Sequence, residues 1–174
     1  MKAVAKLSAV VITGVAVVVA IGALIYAGAV RAGNATEGGR MRAQTQENLS
    51  TAMHGEAFAF AKYMLYAEHA RKTGHPELAA LFEETAKTER LEHFAEEAEL
   101  AGFVGNDEEN LQDAIKGESY EVETMYREFA EQASASGDQA AAERFSEIRK
   151  DEMKHLDAYK SALAKLTQES ARLR

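Results

Sequence analysis

Two kinds of apolar patterning divide the chain. From Leu7 to Val30 run 24 residues without a formal charge, mostly Val, Ala, Ile and Leu, with no polar stripe to mark a water-facing side. At about 1.5 Å per residue the block reaches roughly 36 Å, enough to cross a hydrocarbon core of about 30 Å. It predicts one membrane-spanning helix over residues 1–30. Ala27-Gly28-Ala29 could be a cleavage site, but the apolar run exceeds the ~7–15 residues of a secretory signal, so an uncleaved anchor is favoured. Lys2 and Lys6 flank one side and Arg31, Arg40 and Arg42 the other, so the positive-inside rule scarcely discriminates. The short basic N-terminus leans towards a single-pass protein with its domain outside the cytoplasm. Residues 31–44, with Gly33, Asn34, Thr36 and Gly39, read as a flexible tether.

Beyond the tether the pattern becomes helical, with apolar and amphipathic residues such as Leu49, Met53, Phe60 and Tyr63 set among charges. A first helix is predicted from about Gln46 to Lys72, stopped by Thr73-Gly74-His75-Pro76. A second runs from about Glu77 to Leu100, ending near Gly102 and Gly105. A third, with Asp107 as the expected N-cap, reaches about Ala135. After Ser136-Gly137-Asp138 a fourth continues to about Leu173. Short turns make antiparallel neighbours, so residues 45–174 are expected to form an all-α, up-down four-helix bundle.

Composition narrows the chemistry. The 174 residues contain no cysteine, which removes disulfides, zinc–thiolate sites, iron–sulfur clusters and thiol catalysis from them. One proline suits long helices. Net charge is −8, but residues 1–42 hold five basic side chains and one acid. Subtracting these from 20 and 28 leaves 15 against 27, a strongly acidic domain. Nucleic acid is excluded as a partner, since binding it needs a basic face.

The domain also repeats itself. Glu47–Glu56 reads ENLSTAMHGE and Glu109–Glu118 reads ENLQDAIKGE, an offset of 62. Further on the offset is 63, pairing Tyr63 with Tyr126, Gly74 with Gly137, Phe82 with Phe145, Glu89 with Glu152 and Glu92 with His155. Two copies of one helical hairpin thus hold acids at equivalent depths. Glu56 sits mid-helix among Ala57, Phe58, Ala59 and Phe60. Glu118 and Glu121 share a face of helix three, and Glu152 and His155 share a face of helix four. Helix two carries Glu89, Glu92 and His93. A Glu from each of two helices, plus a Glu-x-x-His-like pair from each of the others, is the di-iron or di-manganese carboxylate arrangement of ferritin-like bundles. Taken singly, each acid fits a solvated face; jointly placed, they call for cations to offset their repulsion. Glu96, Glu97 and Glu99 read as solvated, and Arg144, Arg149 and Lys150 as balancing nearby acids.

Residues 45–165 resemble the ferritin-like domain of the rubrerythrin family, in the Gly-Glu of helix one, the Glu-x-x-Glu before Met125-Tyr126 and the Glu-x-x-His of helix four. The resemblance implies Glu56, Glu89, Glu118, Glu121, Glu152 and His155 as ligands of two iron ions, with manganese as the alternative metal. It implies reduction of hydrogen peroxide, with ferrous iron oxidation by oxygen or peroxide as the second reading. Tyr63 and Tyr126 are expected to support the ligands by hydrogen bonds. The expected assembly is a homodimer.

Two features depart from the family. Its helix-two histidine stands three residues after the glutamate, where this chain has Glu92, with His93 next. Steps of three and four flank the starting residue, so both remain candidates, the repeat favouring Glu92 and ligand chemistry favouring His93. The four cysteines of a rubredoxin-like domain are absent, so electrons are expected from another protein or from substrate iron. The offset change from 62 to 63 falls between Glu118 and Tyr126. One extra residue inside a helix is absorbed as a π-bulge, here expected to turn Glu121 inward.

Overall fold

The computed structural model describes residues 41–172, which are helical, with no strand among them. The expected membrane span and most of the tether lie outside these residues. Among those described, no helix is long and apolar enough to cross a membrane. The described chain falls into two compact units divided between Phe103 and Val104, each a helical hairpin.

The first hairpin pairs α1 (Ala43–Lys72) with a rod made of α2 (Pro76–Thr88), a π-helical turn (Glu89–His93) and α3 (Phe94–Ala101). Helix α1 begins earlier than its polar N-terminal residues suggested, because Met41 packs against Leu49, Met53, Ala98 and Ala101 and anchors the first turn. The turn to α2 is a Schellman cap. His75 N–H donates to Ala70 O at 2.8 Å and Gly74 N–H to Arg71 O at 3.1 Å, with Gly74 at φ +80°. Pro76 then opens α2, where a missing N–H costs nothing. Two apolar clusters hold the hairpin, one at each end. Leu49, Met53, Ala98 and Ala101 lie at the open end, and Ala67, Ala70, Ala79 and Phe82 beside the turn. Fully buried alanines let the two rods approach closely.

The second hairpin joins α4 (Asp107–Tyr120), a second π-turn (Glu121–Met125) and α5 (Tyr126–Ala135) to the long α6 (Gln139–Arg172). Its N-cap is Asn106 rather than Asp107. Asn106 Oδ1 accepts from Glu109 N–H at 2.9 Å while the Glu109 carboxylate accepts from Asn106 N–H at 3.0 Å, a reciprocal capping box. Gly137, at φ +82°, repeats the turn of Gly74. An aromatic trio is also repeated. Tyr63, Tyr66 and Phe82 have ring centroids 5.4–6.2 Å apart, and Tyr126, Phe129 and Phe145 5.6–6.4 Å apart. The offset of 63 thus marks real packing.

Candidate metal centre

Each hairpin gathers two carboxylates and an imidazole at mid-length. In the first, Glu56 comes from α1, and Glu89 and His93 come from opposite ends of the first π-turn. In the second, Glu118 comes from α4, and Glu152 and His155 from α6. In both triads one ligand atom from each residue lies within 4.8 Å of the others. The internal distances match. His93 Nδ1 is 2.8 Å from Glu89 Oε2 and 3.9 Å from Glu56 Oε2. His155 Nδ1 is 2.6 Å from Glu152 Oε2 and 3.9 Å from Glu118 Oε2. The glutamates are mostly covered, with side-chain exposures of 14–27%, while the imidazoles are about half exposed.

The first π-turn settles which residue of helix two joins its triad. A π-turn takes one extra residue to come round to the same face, shown here by Phe94 N–H bonding back five residues to Glu89 O. That insertion carries Glu92 past the site and brings in His93. In the regular helix α6 the same placement needs only three steps, from Glu152 to His155. The repeat favoured Glu92 and ligand chemistry favoured His93; it is His93 that lies with Glu56 and Glu89, and the local unwinding explains why the histidine stands one residue later.

The second π-turn lies where the repeat placed it, over Glu121–Met125, with Tyr126 N–H bonding back to Glu121 O. Glu121 is not one of the three residues whose ligand atoms meet within 4.8 Å, but it lies one helical turn after Glu118 and near enough to feel the charges of the triad. Its pKa is raised by burial and then by the Glu152 and Glu118 carboxylates. Glu118 is raised by burial and then by the neighbouring Glu152 carboxylate, and Glu56 likewise by burial and then by Glu89. His93 is raised, first by its hydrogen bond to Glu89. After burial, the three carboxylates share a second cause: acceptors face acceptors, an arrangement that a proton or a cation between them relieves. Glu118 Oε2 is sealed from solvent without a hydrogen-bond donor. Such an atom, beside a second carboxylate and an imidazole nitrogen, fits a divalent transition metal.

Glu97 was missed by sequence reasoning. Its Oε2 is also sealed without a donor, and its charge helps to raise Glu56. The signal was its spacing, four residues after His93 and eight after Glu89, which keeps one face of α3 on the site side. Burial, and then the charges of Glu121, Glu152 and Glu118, raise the pKa of Tyr126 and keep it a phenol. Tyr63 lies under Lys62 Nζ, 4.9 Å from its ring centroid. Among the described residues neither tyrosine hydroxyl bonds to a ligand carboxylate; both serve the aromatic trios. Arg144 does pair with an acid, Glu147, at 2.9 Å.

A family model described as rubrerythrin matches residues 47–163. A rubrerythrin from Porphyromonas gingivalis is 35% identical over 134 residues, covering 70% of this chain and 66% of that protein. Nigerythrin from Nitratidesulfovibrio vulgaris is 33% identical over 131 residues, covering 68% and 65%. A protein named putative rubrerythrin from Methanocaldococcus jannaschii is 30% identical over 142 residues, covering 69% of each chain. The matched region spans just under two thirds of the length of the first two relatives.

Proposed function

We propose that this chain, which belongs to the rubrerythrin family, reduces hydrogen peroxide at a pair of iron ions held by its carboxylates and imidazoles. The observation that carries the reading is the duplicated triad, two Glu–Glu–His groups of matched geometry in a sequence repeat. Glu56, Glu89 and His93 with Glu118, Glu152 and His155 supply four carboxylates and two imidazoles, and Glu121 and Glu97 add further carboxylates. This donor set suits two divalent ions and balances their charge. It accepts manganese as well, which metal analysis of the purified protein decides.

When bound, the metal pair supplies two electrons and Lewis acidity to the O–O bond of the peroxide. The protein's own residues create the setting. Covered carboxylates are released from water, so their full charge is available to cations. In the metal-free chain the imidazoles point Nδ1 at Glu89 and Glu152, so the nitrogen and the carboxylates that a cation would join already face one another. Tyr126 borders the second triad as a protonated phenol. Reduction of one peroxide to two waters consumes two electrons and two protons. No cysteine among the 174 residues can hold an iron–thiolate relay, so the reading looks to another protein, or to substrate iron, for the electrons.

Attachment to a membrane through Leu7–Val30, with the domain outside the cytoplasm, belongs to the same proposal. Carbonate extraction and protease protection of membranes carrying the full chain test it. For the chemistry, the test is anaerobic ferrous titration of the full chain, Mössbauer spectroscopy of the oxidised product, and stopped-flow mixing with peroxide or oxygen. The expected results are two irons per pair of triads, a spin-coupled ferric pair, and faster reaction with peroxide. A preference for oxygen selects ferrous iron oxidation instead, and a chain that takes up no metal overturns the reading.

A further inference from the structure

A π-turn leaves a debt in the helix that contains it. Tyr126 N–H reaches back five residues to Glu121 O, and the α-helix then resumes at Tyr126. A helix that resumes after such a turn leaves a carbonyl without its regular partner, and two carbonyls of this turn accept from arginine side chains: Glu123 O from Arg127 Nε–H at 2.9 Å, within the same helix, and Val122 O from outside it. Val122 is 7% exposed, so water cannot readily serve that oxygen. The Arg149 side chain of α6 does so: its Nε–H donates to Val122 O at 2.7 Å, across a sequence separation of 27. Among the described residues no carboxylate pairs with Arg149. The sequence had assigned this arginine to balancing acids; its structural partner is the backbone.

The other hairpin supplies an internal control. At the offset of 63, Arg149 corresponds to Ala86, which is fully buried. The rod facing Ala86 is α1, an unbroken α-helix from Ala43 to Lys72 with no carbonyl passed over. The small residue stands where the facing helix is regular, and the arginine where it is unwound. The extra carboxylate follows the same division. Glu121, the first residue of the π-turn, feels the charges of Glu152 and Glu118, whereas the position in α1 that matches it at the offset of 62 is Ala59.

We infer that Arg149 is a positioning residue, which holds the second π-turn by donating to Val122 O and thereby keeps the Glu121 carboxylate aimed at the metal centre. The inference rests on the di-iron reading and deepens it: Arg149 touches no ligand, and acts through the backbone that carries one. A guanidinium suits the role because its charged Nε–H makes a strong, directed bond to a covered carbonyl on the facing helix. Lysine, with a donor at similar reach, is expected to recover part of the effect.

The test uses the full chain and the variants Arg149→Met, Arg149→Lys, Glu121→Gln and the Arg149→Met/Glu121→Gln double. In the metal-free state, amide hydrogen exchange of Arg149→Met is expected to quicken over residues 121–127 and to match the parent over 43–72. In ferrous titration, Arg149→Met is expected to bind about 10–100-fold more weakly, the range for residues that orient ligands. Arg149→Lys should recover part of that loss. In the Glu121→Gln background, Arg149→Met should add little, because both act through one carboxylate. Unchanged exchange over 121–127 overturns the positioning role whether or not metal binds. Additive losses in the double variant assign Arg149 a general structural role and overturn it too. A parent chain that binds no iron while Arg149→Met still speeds exchange overturns the di-iron reading and the role of Arg149 in it, but leaves the backbone contact standing.

Discussion

In the first hairpin the π-turn lies in the second rod, between Glu89 and His93; in the second it lies in the first rod, directly after the turn bearing Glu118. The two triads nevertheless agree, with the imidazole nitrogen 3.9 Å from the facing glutamate in each. Equivalent placement is therefore reached from unequal backbones. What differs is the surroundings: the second hairpin gains Glu121 and an arginine to hold its unwound segment, and the first gains Glu97. The repeat shares its three-residue core and differs in the residues around it.

The largest expected effect tests the core itself. His93→Ala and His155→Ala should each weaken ferrous binding beyond the roughly 10–100-fold cost of residues that only orient ligands. Glu92→Ala should change it by about two-fold or less, as at an ordinary surface position. Equal losses at 92 and 93 in an iron titration would dissolve the distinction drawn from the first π-turn. A deletion sharpens it. Removing exposed Leu91 turns Glu89-x-x-x-His93 into the Glu-x-x-His of a regular helix, as in α6. Binding within about ten-fold of the parent is expected, and a loss matching His93→Ala would show that the π-turn does more than adjust spacing.

Acidity gives a smaller effect with a fixed sign. In the metal-free chain Glu56, Glu118 and Glu121 have folded pKa values above the usual 4.5, and His93 above 6.5. A raised value means that the folded state binds protons more tightly. The stabilisation is complete below the unfolded pKa and is lost as pH rises through the folded one. Glu83 and Asp151, lowered by Arg71 and Lys154, run the other way, but these are exposed pairs of little weight. Melting temperature in chelator should therefore fall as pH rises from about 4.5 towards neutrality, and Glu121→Gln should flatten the fall. A melt that climbs over that interval would contradict the raised pKa values of these carboxylates. Ferrous binding should strengthen over the same interval, since ligands must shed protons to bind metal.

The smallest effect concerns the turns. Gly74→Ala and Gly137→Ala each put a β-carbon on a left-handed residue, at a cost of about 1 kcal/mol apiece. Urea unfolding of the two variants should give similar losses. A clear inequality would mean that the turns, unlike the triads, have diverged in energetic role.

Much of the fold was legible because helices, caps and turns are local. Gly74-His75-Pro76 and Ser136-Gly137-Asp138 end their helices where expected, and the aromatic trio follows the repeat. The second π-turn was readable from an offset changing from 62 to 63 inside a helix. Its counterpart left a trace too, for His93 and His155 are again 62 apart, the offset of Glu56 and Glu118. Pairing Glu92 with His155 hid that return, since alignment by residue type stops where an insertion begins. Asn106 was passed over for Asp107 because both are good caps, and only the reciprocal bonds with Glu109 distinguish them.

The sequence by itself determined the helices, the duplicated hairpin and the identity of the acids and imidazoles that gather in it. These follow from periodicity, turn chemistry and repetition, all written within a few residues of one another. Tertiary structure decided that His93 rather than Glu92 meets Glu56, that Glu97 is sealed beside the first triad, and that Arg149 serves a carbonyl 27 positions away. Each depends on where a backbone unwinds and what then lies opposite, and a backbone oxygen carries no signature in the alphabet of side chains.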